Sequence, residues 1–105
     1  MKYKIIRTET ADLQIRQIIL HIAENFGNTT ALETLNELEN SILSLSETPY
    51  LGMIPRYPVL RRQGYYVLIL KKNLVFYKVN DNEKTVIIYA VVDQRQDYLK
   101  ILRGL

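Results

Sequence analysis

The chain has 105 residues, 48% of them hydrophobic and 24% charged, with four glycines and three prolines; that balance predicts a single domain over residues 1–105 and excludes a disordered or two-domain chain. With no cysteine and one histidine, disulfide frameworks, thiolate zinc sites, thiol nucleophiles and imidazole clusters are excluded, and the cytoplasm is the expected compartment. The net charge of +3 is unevenly spread: residues 1–55 hold four Lys/Arg against seven Asp/Glu, and residues 56–105 hold ten against four, a basic half suited to a polyanionic partner such as nucleic acid or an acidic polypeptide.

Met1-Lys2-Tyr3-Lys4 is followed by only two isoleucines before Arg7, too little for the apolar core of a signal peptide. The longest apolar run, Tyr65 to Leu70, has the length of a strand and falls well short of the roughly 20 residues that a membrane span needs. No membrane partner is expected.

The β-branched and aromatic run Lys2-Tyr3-Lys4-Ile5-Ile6 reads as a short first strand reaching Arg7. Ala11, Ile15, Ile18, Ile19, Ile22 and Phe26 then recur at three- and four-residue steps, which predicts an amphipathic helix from about Thr10 to Phe26, stopped at Gly27. A second helix follows, capped by Asn28 or Thr30; Thr30-Ala31-Leu32-Glu33 has capping-box spacing, and Leu35, Leu38, Ile42 and Leu45 form its apolar stripe. So short a connection makes the two helices an antiparallel hairpin. Pro49, Gly52, Pro55 and Pro58 mark an irregular stretch over residues 47 to 58. Beyond it the pattern predicts strands at Val59 to Arg62 with Tyr66 to Leu70, at Leu74 to Val79 and at Thr85 to Val92, joined by polar turns into a meander. Gln96 to Leu102 is expected to add a short helix. The fold class is therefore α+β, with order βααβββ and an antiparallel sheet packed against an N-terminal helix hairpin.

Glycine-rich phosphate loops, nucleophile elbows, His-Glu-x-x-His and calcium loops are all missing, so no cofactor or metal is expected. The carboxylate pairs Glu37 with Glu39 and Asp81 with Glu83 read as solvated groups, and mid-helix His21 as structural or surface-exposed, since no other ligand or base accompanies it. Tyr66, Phe76, Tyr77 and Tyr89 fall within strands and are expected to pack there.

What remains is arginine with tyrosine: Arg61-Arg62 leads into Tyr65-Tyr66, and Arg95 precedes Tyr98 by one helical turn. Guanidinium groups match phosphate geometry and neutralise the charge of a pentacoordinate phosphorus. In RNA the 2′-hydroxyl is an internal nucleophile, so such a site need only orient the strand and move protons. The expected catalytic set is Arg61, Arg62, Arg95 and Tyr98, with Arg95 favouring the Tyr98 phenolate. Lys71, Lys72 and Tyr65 are the expected RNA-binding residues, although lysines at strand ends also serve to blunt edge pairing.

Order and residues together resemble the RelE/ParE superfamily of type II toxin–antitoxin toxins. The resemblance runs through Tyr3-Lys4-Ile5-Ile6, the helix hairpin, the proline-bounded stretch, Leu60-Arg61-Arg62-Gln63-Gly64-Tyr65-Tyr66, Asn73 to Val79 and Val91 to Tyr98. It implies one of two activities. RelE-like members cleave mRNA on the ribosome, and Arg61 or Arg62, Arg95 and Tyr98 would then match their phosphate-contacting arginines and acid/base tyrosine. ParE-like members poison DNA gyrase and need only a docking surface. The tyrosine one turn from an arginine favours the metal-independent endoribonuclease, an mRNA interferase acting on mRNA at the ribosome, over the gyrase inhibitor. In either case the resemblance implies a cognate antitoxin, acidic and partly disordered, wrapped on the helix hairpin in a hetero-oligomer.

Overall fold

Thr8 ends one element and starts the next. Its N–H donates to Ile88 O at 3.0 Å, finishing the first strand's attachment, while its hydroxyl accepts the Ala11 N–H at 3.1 Å as the cap of the first helix. A computed structural model describes residues 2–94. They form β1 (Lys4–Arg7), α1 (Glu9–Phe26), α2 (Asn28–Ser44), α3 (Pro58–Arg62), β2 (Tyr66–Ile69), β3 (Asn73–Asn80) and β4 (Thr85–Asp93).

Glu9 and Asp12 in the first turn of α1 complement the positive end of its dipole. Gly27, at φ +93°, closes α1 and opens α2, so the chain reverses across one residue. Because α2 begins at Asn28, the expected Thr30–Glu33 box lies inside the helix and caps nothing; the Thr34 hydroxyl instead donates to Thr30 O at 3.0 Å. The paired apolar stripes of Ala11 and Ile15 on α1 and of Leu38 and Ile42 on α2 pack on one sheet face, against Leu68, Val75, Tyr77, Val86 and Ile88.

The sheet order is β1-β4-β3-β2. β2, β3 and β4 form the expected antiparallel meander, whereas β1 runs parallel to β4, with Lys4 opposite Thr85 and Arg7 opposite Ile88, so the sheet is mixed. A bulge separates the Phe76–Ala90 and Tyr77–Ile88 pairs and leaves Tyr89 as the extra residue of β4.

Val59 to Arg62, expected as a strand, belongs to helix α3. Pro58 supplies a helical φ at its first position, and the Leu60 and Arg61 N–H groups both donate to Tyr57 O at 3.1 Å. The helix lies over the second sheet face, where Leu60 and Tyr65 cluster with Val67, Leu74, Phe76, Ala90 and Val92. Only four or five strand residues were at stake, and a stretch so short carries no readable period. The helix expected over Gln96 to Leu102 lies outside the described residues.

Candidate functional site

The expected site residues fall in three places. Arg61 and Arg62 are exposed in the last turn of α3, where a cation meets the negative end of a short helix. They therefore sit on a helix and not on the strand to which the sequence assigned them. Lys71 and Lys72 are exposed in the β2–β3 turn. The Gln94 N–H donates to Lys72 O at 3.1 Å and its side chain to Leu70 O, so the end of β4 lies beside that turn. Arg95 and Tyr98 lie outside the described residues.

Tyr65, expected to bind RNA, is 6% exposed. Its ring meets Tyr89 edge-on at 5.5 Å between centroids, and Lys78 Nζ lies 4.6 Å from its centre. Burial pushes its phenol up from the ordinary value. The ring is a wall of the second core cluster, and its faces are occupied by protein, which is a correction to its expected place on the surface.

Beside the β4 end is a cleft of about 1030 Å³ between α1 and the β2–β3 turn, floored by Ile18, Ile22 and Val91 and rimmed by His21, Lys71 and Lys72. Gln14 of α1 closes its inner end by accepting the Val91 N–H at 2.8 Å. His21 is exposed, with Asn25 Nδ2 at 3.2 Å from its Nδ1, which agrees with the surface role expected for it.

One hub escaped the sequence. The Asp81 carboxylate, read as a solvated turn residue, accepts the Tyr3 hydroxyl at 2.6 Å and also the Tyr50 hydroxyl. Those two phenols hold Asp81 below the usual carboxylate range, and Asp81 in turn pushes Tyr50 up to about 12. The signal lay in three residues 31 to 78 positions apart, a separation at which no local pattern operates. Glu39, also read as solvated, accepts from Arg7 at 2.9 Å; Asp12 is on the same guanidinium, and the Glu39 hydrogen bond is the main cause of the raised Arg7 pKa.

Chemically, the described surface offers cations and hydrogen-bond donors. Among the described residues, each phenol with a displaced pKa (Tyr50, Tyr65 and Tyr77) is displaced upwards, away from proton transfer at neutral pH. No three His, Cys, Asp or Glu side chains among them are grouped to hold a metal. No described helix is long and apolar enough to cross a membrane.

A two-helix hairpin against a four-stranded mixed sheet is the architecture of the RelE/ParE toxins. The model of the ParE toxin of type II toxin–antitoxin systems (parDE) matches residues 5–98, and the chain belongs to that family. Among solved structures, a chain of the chromosomal ParDE system of P. aeruginosa is similar at 17% identity and TM-score 0.72, covering 88% of this chain and 96% of that one. A chain of the RelBE2 toxin–antitoxin complex of Mycobacterium tuberculosis is 19% identical with TM-score 0.67, over 90% and 100%. The isolated E. coli RelE toxin is 18% identical with TM-score 0.59, over 98% and 99%. These likenesses show a shared fold. No curated protein sequence matches the chain.

Proposed function

We propose that this toxin acts in the ParE manner, by docking on DNA gyrase, and that it does not itself cleave RNA. The observation that carries the reading is the second sheet face. Helix α3, which carries Arg61 and Arg62, is anchored there by Leu60 packed with Tyr65, Val67, Leu74, Phe76 and Val92, so these arginines are held on a helix and do not line a strand beside the end of β4. The family match to ParE toxins points the same way. A docking poison needs a shaped, charged surface and no proton carrier, which fits the exposed cations Arg61, Arg62, Lys71 and Lys72.

A cognate antitoxin restrains the toxin in this reading. Leu13 and Leu20 on α1 and Leu32 and Leu43 on α2 are each more than half exposed, and an amphipathic, acidic segment that orders on binding would cover such leucines while opposing the basic half.

The mRNA endoribonuclease remains the second reading, favoured by one contact: Gln94 N–H to Lys72 O brings the described end of β4 beside two lysines. Purified toxin added to gyrase, with transcript ends mapped after induction, separates the two. Loss of supercoiling with intact transcripts is the expected result, and Tyr98→Phe should leave growth arrest unchanged. Cleaved transcripts with normal supercoiling, and a harmless Tyr98→Phe protein, would overturn it.

A further inference from the structure

The half of the second sheet face that α3 leaves uncovered is built in rows. Ile6, Ile87 and Lys78 lie side by side on β1, β4 and β3, and Lys4, Thr85 and Asn80 form the next row. Paired residues share a face, so two lysines flank the Ile6 and Ile87 side chains, and Ile6 is 41% exposed. At one edge, Lys78 is half-buried and stands over two rings, its Nζ 4.6 Å from the Tyr65 centroid and 5.2 Å from that of Tyr89. Among the described residues no carboxylate forms an ion pair with it. A partly desolvated ammonium held on aromatic faces keeps its N–H groups for an anion in front of it.

That space is a cleft of about 560 Å³, lined by Lys78, Asn80, Asn82, Ile87 and Tyr89 together with Asp81. Asn80 Oδ1 accepts the Glu83 N–H at 3.1 Å, which leaves the Asn80 NH₂ free to donate. Asp81, the one acid on the rim, has its two oxygens engaged by Tyr3 and Tyr50. Lys78, Asn80 and Asn82 therefore present donors from three positions around one opening, an arrangement suited to a tetrahedral oxyanion more than to a planar carboxylate.

We propose that this cleft is a phosphate-binding site, taking the phosphate of a nucleotide or of a nucleic acid strand, with Ile6, Ile87 and the Tyr89 edge under the attached sugar or base. The site is at the β3–β4 turn end of the sheet, remote in register from the Lys71–Lys72 turn, and does not depend on whether gyrase is the target.

The test titrates the purified full-length toxin with 5′-AMP, a short single-stranded DNA and acetate. Saturable binding of AMP or DNA, with acetate binding far more weakly, is expected. AMP binding as tightly as DNA assigns the site to free nucleotides; DNA binding alone assigns it to a strand backbone. Lys78→Met, which keeps the stem over the rings, and Asn80→Asp, which keeps the Glu83 contact and adds a negative charge, should each weaken binding by about tenfold or more. If Lys78→Met does not fold, Asn80→Asp decides. No saturable binding by the wild type, equal affinity for acetate, or unchanged binding in a folded variant overturns the proposal.

Discussion

The Tyr77 hydroxyl, on a side chain with no exposure at all, accepts the Gly52 N–H at 2.8 Å and so ties the proline-bounded stretch to the centre of the sheet. Tyr77→Phe would leave that N–H without its acceptor and should lower stability by about 1–3 kcal/mol. Gly52→Ala should cost more, because a Cβ there would stand 2.6 Å from the Tyr77 hydroxyl and 2.8 Å from Val67 O, the latter being backbone in a strand. Denaturant unfolding of both variants checks the order.

The same phenol gives the fold an alkaline limit. Burial raises the Tyr77 pKa, with the Gly52 N–H pulling the other way. A phenol raised in the folded state contributes stability that is whole below its unfolded value near 10 and is lost as pH climbs through the folded value. The melting temperature should therefore fall from about pH 10 upwards, and less so in Tyr77→Phe.

At the acid end the controlling group is Asp81. Its pKa is lowered by the Tyr3 and Tyr50 hydroxyls, so its contribution is present above the unfolded value of 3.8 and is lost as pH falls from there through the lower folded value. Proteolysis near Tyr50 should accelerate below about pH 4 in the wild type, and in Asp81→Ala at neutral pH as well. Ultraviolet titration should find Tyr50 ionising at about 12; in Asp81→Ala one late-titrating phenol fewer should be counted, while the buried Tyr65 and Tyr77 stay raised.

Where local chemistry sets structure, the sequence was readable. The step pattern from Ala11 to Phe26 sufficed for α1, Gly27 for its end, and the polar turns for the meander. The direction of β1 was not, since Lys4 to Arg7 carries the same alternation whether it pairs with β4 parallel or antiparallel. Arg61 and Arg62 were found by residue type but assigned to a strand, because Val59-Leu60 resembles one until Pro58 is recognised as a first helical residue. The Asp81 hub arises only when distant segments meet, and the Lys78 cleft, though lined from one hairpin, depends on the Tyr65 ring that distant chain brings under the ammonium.

Gly27 isolates backbone strain from crowding. A Cβ at this position meets nothing within 4 Å, yet φ is +93° and ψ 162°, a region that costs an L-residue about 1–3 kcal/mol. Gly27→Ala should destabilise by that amount with no change in the slope of unfolding against denaturant, since the surface buried is unaltered.

Tyr65 separates a packing role from ligand contact. As a member of the second core cluster at 6% exposure, it should tolerate loss of its hydroxyl, and Tyr65→Phe should keep both stability and toxicity. Tyr65→Ala removes the ring on which Tyr89 and Lys78 rest and should cost about 3–5 kcal/mol, as large-to-small aromatic changes in cores do. Any loss of growth arrest in Tyr65→Ala should then follow the fraction of folded protein and recover on cooling. Full toxicity loss in a Tyr65→Ala protein that melts like the wild type would instead return this ring to the ligand surface.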